Sequence, residues 1–455
     1  MALLTHEEVF PWVESTLGGK IAGFTRQGGR ESGGRPGWFI ELDRGGEGSR
    51  YYVRGSRGSD FAYTRIYGLE REVEILRVLH AEGIPVPEVV ASRSDPAVAI
   101  LEHVDGENDY TLVASAEERD AIARDFAQVM ARWHAIPAEK FEAIGLPLPV
   151  KPADYMIQDL ETWEAGHFPL LREPVPLVSF ACGWLRGNVP EIPERPVLVQ
   201  GDTGPGQFIF GEGRVKSVVD WELANLGDPM RDLAHIRARD VWYPTGNLPD
   251  WFRYYSEFSG VPLNAERIGY YSLIAMLTTA LALGPVVQNL EPRDDHAEWL
   301  AQDVWSKTAS VGILGELLGI DFDPVEIPQA DTPETSQLFE VLEENLREEL
   351  LPQIPDSFLQ HRVRTLLRLV AKIRNNAEIG AELDALELED MGELLDARPA
   401  NLREGTRALE ALVRKAGPDM DETLVRYFHR HAQREEARMR GGMGRAENAT
   451  TSPIT

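Results

Sequence analysis

Cysteine is almost absent: Cys182 is the one cysteine in 455 residues, which excludes an intrachain disulfide and a thiolate-held zinc. Positive charge is in deficit. Forty-six basic side chains face 74 acidic ones, a formal charge of −28, so nucleic acid and anionic membranes are not expected as partners. No G-x-x-x-x-G-K-[ST] run occurs, which excludes a Walker-type phosphate loop. Asp202-Thr203-Gly204 occurs once, so the two carboxylates that an aspartic protease shares between its lobes are missing. The opening "MALLTHEEVFPWVEST" has no basic segment ahead of a long apolar run, and a cytoplasmic setting is the expectation. One uncharged run, 268–290, has the length of a membrane span. Ser272, Thr278, Thr279 and the Gly284-Pro285 break point instead to a buried core helix.

What is present is an ordinary globular balance, 43% hydrophobic and 26% charged, over a length that suits two or three domains. The first hundred residues read as strands and turns around one helix. "GWFIEL" and "RYYVRG" flank "DRGGEGS" as a hairpin with a loose loop, "YGLEREVEILRVLHAEG" keeps helical spacing up to Gly83, and "AVAILEHV" reads as a buried strand. Helices dominate after Asp105, where Ser115 and Glu118 form a capping-box pair and Ile122, Phe126, Val129, Met130 and Trp133 share a face. The hairpin "QFIFGEGRVKSVVDWE" interrupts them. Pro324, Pro328 and Pro333 suggest a linker, and Leu338, Val341, Leu342, Leu346, Leu359, Val363, Leu366, Val370 and Ile373 keep helical spacing beyond it, as in a small bundle. The expected parts are 1–103, β-rich; 104–320, helical; a linker at 321–333; a helical domain at 334–439; and a disordered tail at 440–455.

Phosphoryl transfer asks for a mobile loop over the phosphates, a cation held by a helix carboxylate, a base for the acceptor hydroxyl and a magnesium ligand. Candidates occur in that order. "RQGGRESGGRPG", with Ser32, Gly33 and Gly34, is a glycine-rich loop, although such loops are more often only loops. Arg54 closes a strand and Glu72 sits on the next helix; each taken singly would be a solvated surface charge. Asp202 follows a strand in "LVQGDTGPGQF", and Asp220 lies eighteen positions on, at the end of the next hairpin. An aspartate in a Gly-Pro turn is usually structural, but two carboxylates so placed suit a base and a metal ligand.

"LVQGDTGPGQFIF" followed by "VKSVVDWELANLGDPMRDLAHI", with "LEREVEILRVLHAEGIPVPEVV" and "MARWHAIP", resembles the aminoglycoside phosphotransferase and choline kinase-like superfamily over about residues 20–320. Within it the type nearest in pattern is the hydroxyacyl-CoA kinase domain associated with acyl-CoA dehydrogenases. The resemblance implies an α+β, two-lobed protein-kinase-like fold with an extra C-terminal helical bundle, ATP and Mg2+ as cofactors, and a small hydroxylated acceptor. It implies Asp202 as base, Asp220 and Gln207 as metal ligands, Arg54 with Glu72 as the phosphate-binding pair, and a hinge at Glu102 and His103 that meets adenine through backbone groups. Asp228 would cap a helix and Asp232 brace the catalytic loop. Arg26, Arg30, Arg35 and Arg57 would attend the phosphates or an anionic acceptor. Gln200 and Gln207 depart from the family's His and Asn; the longer amide at 207 shifts its oxygen by about an ångström, which leaves a pseudokinase scaffold as the alternative. Residues 335–380 are similar to a small helical family that occurs as a separate partner of the hydroxyacyl-CoA kinase in levulinate degradation. A helical appendage that stabilises or dimerises the chain is the other reading of the same leucines.

Overall fold

A computed structural model describes residues 4–27, 35–56, 67–191, 193, 195–290, 295–329 and 334–454. Alternation builds the N-terminal sheet: in β2 (Gly37–Asp43) Trp38, Ile40 and Leu42 are buried while Phe39, Glu41 and Asp43 face outwards. With β1 (Lys20–Arg26), β3 (Gly48–Gly55), β4 (Val89–Ser94) and β5 (Ala97–Glu102) it forms an antiparallel sheet of order β1-β2-β3-β5-β4. The β2–β3 hairpin pairs Asp43 with Gly48, as its glycine-rich loop suggested.

Two helices accompany this sheet, one more than the sequence led us to expect. α1 (His6–Leu17) starts at a capping box in which Thr5 N donates to Glu8 Oε2 at 2.8 Å. Its Val9 and Val13 pack on Trp38, Ile40, Val53, Val98 and Ile100, closing one face of the sheet. α2 (Leu69–Ala81) buries Glu72, Val73, Ile75, Leu76 and Leu79; Gly83, at φ 72°, ends it by donating to His80 O. Beyond β5 the chain bridges Glu107 to Phe210 and enters α3 (Ala116–His134), whose N-cap Ser115 accepts from Glu118 N at 3.2 Å. Phe126 and Trp133 on α3 meet Phe208 and Trp221 at ring distances of 4.6 and 5.3 Å. Those two rings belong to the segment carrying β6 (Val197–Val199), β7 (Phe208–Gly211), β8 (Arg214–Val218) and β9 (Asn225–Gly227). The α+β, kinase-like fold of a β-sheet N-terminal region and a mostly helical remainder is therefore present.

The chain divides into two compact units. The first comprises Met1–Thr162, Pro190–Tyr271 and Ser452–Thr455; the second comprises Trp163–Val189 and Ser272–Thr451. In the second, the helices His296–Leu318, Ser357–Leu394 and Asp421–Met439 pack together, Phe180 meets Phe428 at 5.6 Å, and Ser179 Oγ donates to Glu410 Oε1 at 2.7 Å. The helix Ala265–Val287 is long and apolar enough to cross a membrane, yet 67% of its most apolar window is buried, as a core helix requires.

Residues 440–454, read from the sequence as a disordered tail, are packed in part. Met443 and Ala446 are buried, and Glu447 accepts from Gly441 N and Met443 N at about 3 Å, so the polar sequence closes on itself around two apolar anchors. Further along, Ser452 O accepts from Arg237 Nε at 2.7 Å within the first unit.

Candidate active site

The loop that carries Asp202 is held from beneath. Gly201 follows β6 at φ 83°, where a Cβ would lie 2.6 Å from Leu223 O, so only glycine fits. The adjoining amides donate to Asp232, which is fully buried on the helix Met230–Arg239: Gln200 N at 3.0 Å and Gly201 N at 3.1 Å. Thr203 Oγ1 donates to the same carboxylate at 2.5 Å, and His134 Nε2 lies 3.0 Å from it. His134 Nδ1 lies 2.8 Å from the Tyr255 hydroxyl. Burial pushes the Asp232 carboxyl up, but His134, Thr203 and the Gln200 amide outweigh it and hold the group below its ordinary range. Asp228 accepts from Met230 N at 2.9 Å, capping the same helix, and pairs with Arg267.

Asp202 itself is about one-third exposed. Arg239 Nη1 donates to both its oxygens at 2.8 Å, while Arg239 Nε donates to Pro205 O at 2.8 Å and the guanidinium lies over the Tyr243 ring. Gln207 Nε2 donates to Asp202 Oδ2 and lies 3.4 Å from Asp220 Oδ2, so one amide sits between the two carboxylates. Gly204 and Gly206, at φ 134° and 91°, give the loop the turn that brings Gln207 there.

Asp220 lies just beyond β8 with φ 61°, a left-handed conformation that few residues other than glycine adopt. Gln200 pins it from behind, its Nε2 donating to Val219 O at 2.9 Å and Asp220 O at 3.2 Å. In front, Arg54 Nη2 donates to Asp220 Oδ1 at 2.6 Å and Glu222 Oε2 at 3.3 Å, and Arg54 Nε lies 3.3 Å from Glu72 Oε2. Arg35 joins the cluster: Nε donates to Glu222, Nη2 donates to Tyr67 O at 2.7 Å, and Nη1 lies 4.0 Å from Glu72. Burial opposes the Arg54 charge, but Glu72, Asp220 and Glu222 overcome it and hold the guanidinium firmly protonated. Burial raises the Glu72 carboxyl against the pull of Arg54 and Arg35, and pushes the Tyr52 hydroxyl up to about 12.

Arg54, Glu72, Asp202, Gln207 and Asp220 thus form one chain of contacts. Glu102 and His103 join it only through the sheet, where β3 pairs Tyr51 with Glu102 and Arg54 with Ala99. Glu102 N donates to Glu88 O at 2.9 Å, and the His103 ring stands edge-on to Phe39 at 5.8 Å, which in turn meets Tyr52 at 5.0 Å. Ser32, Gly33 and Gly34 lie outside the described residues, as do Arg30 and Arg57. Among the described residues no cluster of three or more His, Cys, Asp or Glu side chains suited to a metal occurs. Sequence reasoning missed Arg239 and gave Glu222 no role. The first lies three residues beyond the recognised motif, which ends at Ile236; the second was inside the quoted "DWE".

A family model described as a phosphotransferase enzyme family matches residues 38–267, a span that holds Arg54, Glu72, Asp202, Gln207, Asp220 and Arg239. Acyl-CoA dehydrogenase family member 11 of Homo sapiens is 28% identical over 235 residues, covering 50% of this chain and 30% of that protein. Acyl-CoA dehydrogenase family member 10 of Mus musculus is 28% identical over 215 residues, covering 43% and 20%. The chain therefore spans less than a third of these relatives' length. Among solved structures, macrolide 2'-phosphotransferase MphH from Brachybacterium faecium is similar at 20% identity, covering 60% of this chain and 92% of its own with a TM-score of 0.45. A thermostable mutant of aminoglycoside phosphotransferase APH(4)-Ia is similar at 18% identity, covering 67% and 98% with a TM-score of 0.48.

Proposed function

The chain belongs to the phosphotransferase enzyme family, and from that premise we propose that it is a small-molecule phosphotransferase that uses ATP and magnesium to phosphorylate the hydroxyl group of a hydroxyacyl thioester. The observation that carries the reading is the unbroken sequence of contacts from Glu72 through Arg54, Asp220 and Gln207 to Asp202. That sequence of contacts supports a reading with a phosphate-binding cation towards one end and a base at the other. Arg54, oriented by Glu72, meets the phosphates; Asp202, oriented by Arg239, accepts the proton of the acceptor hydroxyl.

The residues present fit magnesium. Asp220 Oδ2 and the Gln207 amide converge at 3.4 Å, and half a turn of that amide presents its oxygen in place of its nitrogen. A hard cation that takes one or two protein oxygens and completes its shell with phosphate and water suits such a pair. When bound, magnesium offsets the charge of the phosphate oxygens. The acyl thioester is supported by the names of the relatives, which are acyl-CoA dehydrogenases, and the adenine seat by the Phe39, Tyr52 and His103 rings beside the end of β5.

The test is magnesium-dependent ADP release over a panel of hydroxylated acids, free and as CoA thioesters. Asp202→Asn is expected to cut turnover on the best acceptor by about 10²–10⁴-fold while nucleotide affinity stays within a few-fold. Turnover near wild type in that variant removes Asp202 as the base. The one observation that favours a non-catalytic scaffold is that the Gln207 nitrogen now binds Asp202. Tight magnesium-ATP binding with no ADP formed on any acceptor would decide for that scaffold.

A further inference from the structure

The helix Met230–Arg239 carries Asp232 in its first turn and Arg239 in its last, so it meets the Asp202 loop twice. Arg237 and Asp240 flank Arg239, and both reach the same distant residue. Arg237 Nε donates to Ser452 O at 2.7 Å, and Ser452 Oγ donates to Asp240 Oδ2. Arg237 is buried, and Ser452 belongs to the same compact unit as the helix.

Asp240 shapes the corner that follows the helix. Its Oδ1 accepts from Thr245 N at 2.6 Å and from Thr245 Oγ1, while Trp242 N and Tyr243 N both donate to Arg239 O at 2.9 Å. The Tyr243 ring lies 5.4 Å from the Arg239 guanidinium, whose Nε donates to Pro205 O in the Asp202 loop and whose Nη1 donates to Asp202. Thr245 belongs to the corner itself; Ser452 reaches Asp240 from 212 residues away. A carboxylate that accepts on both oxygens is fixed in one orientation, and without the Ser452 hydroxyl Asp240 is tied only to the corner it shapes.

We propose that Ser452 is a positioning residue: through Asp240 it fixes the corner from which Arg239 reaches Asp202. The consequence for turnover rests on the phosphotransferase reading, whereas the positioning itself does not.

Hydrogen exchange and magnesium-dependent ADP release on full-length variants test it. Ser452→Asp sets a second carboxylate against Asp240 and is expected to speed amide exchange about tenfold at Trp242, Tyr243 and Thr245. Through Arg239 and Pro205 it should do the same at Gln207, whose N–H donates to Gly204 O at 3.0 Å. Its kcat is expected to fall about tenfold, with acceptor KM and ATP affinity within about twofold of wild type, because Arg54 and Glu72 lie on other elements. Ser452→Ala should lose about threefold in kcat, and Ser452→Thr, which keeps the hydroxyl, should restore both readouts. In an Arg239→Gln background Ser452→Asp should speed Gln207 exchange no further. Unchanged exchange at Gln207 in Ser452→Asp overturns the proposal, even where 242–245 loosens, and so does a further rise in the Arg239→Gln background. An active enzyme in which Ser452→Asp leaves kcat unchanged, or raises acceptor KM instead, overturns it too. A wild type that forms no ADP on any acceptor counts against the phosphotransferase reading, and exchange at Gln207 then decides the positioning alone.

Discussion

Asp232 and Glu72 are both almost wholly removed from water, yet their surroundings are opposite. Asp232 accepts from two backbone amides, Thr203 and His134, and the sum of those bonds holds its carboxyl below the ordinary range. Glu72 lies beside the Arg54 and Arg35 guanidinium groups, its Oε2 makes no hydrogen bond, and burial holds its carboxyl above that range. A carboxylate saturated by fixed donors is a finished brace; one balanced by cations that also reach elsewhere belongs to a region whose charge can be rearranged. On the proposed reading, that rearrangement is Arg54 leaving Asp220 for phosphate.

The sharpest break in the comparison comes from Asp232→Ala. Removing one member of a buried, hydrogen-bonded charge network costs about 3–5 kcal/mol, which calorimetry should read as a thermal midpoint lower by roughly 10 °C. A midpoint within a degree or two of wild type would show that the loop holds itself. Arg54→Met is expected to act mainly on the ligand, weakening ATP binding about 10–100-fold, as the loss of a charged hydrogen bond to phosphate should. Its stability cost is limited because Glu72 can take up a proton and Arg35 remains beside it. Isothermal titration checks the affinity; unchanged binding would move the phosphates away from Arg54.

Gln207→Asn sharpens the contrast at its centre. The loop is already shaped so that the longer amide spans Asp202 and Asp220, and a side chain shorter by one methylene falls short of both. Magnesium-dependent ADP formation should drop about tenfold, and a gain would mean that the loop has not adapted to glutamine. The smallest effect at neutral pH is in the second unit. Glu387 has donors like Asp232: although burial opposes it, His431, Tyr427 and Arg434 bring its carboxyl down to about 2 from 4.5. A depressed carboxyl stabilises the fold above its unfolded value and loses that contribution as pH falls. The thermal midpoint should therefore decline between pH 4.5 and about 2, and the decline should flatten in Glu387→Gln.

Regular patterns were legible in the sequence, and contacts between distant residues were not. The β2–β3 hairpin, α2 with its stop at Gly83, β5 and the Ser115 cap follow from period and turn chemistry. α1 was missed because Pro11 and its acidic first turn obscure a stripe of only Val9 and Val13. Leucine spacing in 338–373 announced amphipathic helices but could not say that six of the side chains stay uncovered. At the site, motif resemblance named Asp220, Arg54 and Glu72, whose mutual contacts the structure displays, and Asp202, which Gln207 joins to Asp220. The hold of Arg239 on Asp202 spans 37 residues and that of Gln200 on the Asp220 carbonyl spans 20, and neither leaves a periodic trace.

The left-handed backbone at Asp220 narrows what can ever replace it. Most side chains strain there, but asparagine tolerates the conformation almost as aspartate does and has the same shape. A single amide at this position would remove the charge that the proposed function gives to magnesium and leave the turn undisturbed. The most accessible route to a silent descendant of this chain is therefore one that keeps its fold and its abundance, so that inheritance could preserve the molecule long after its chemistry had been lost.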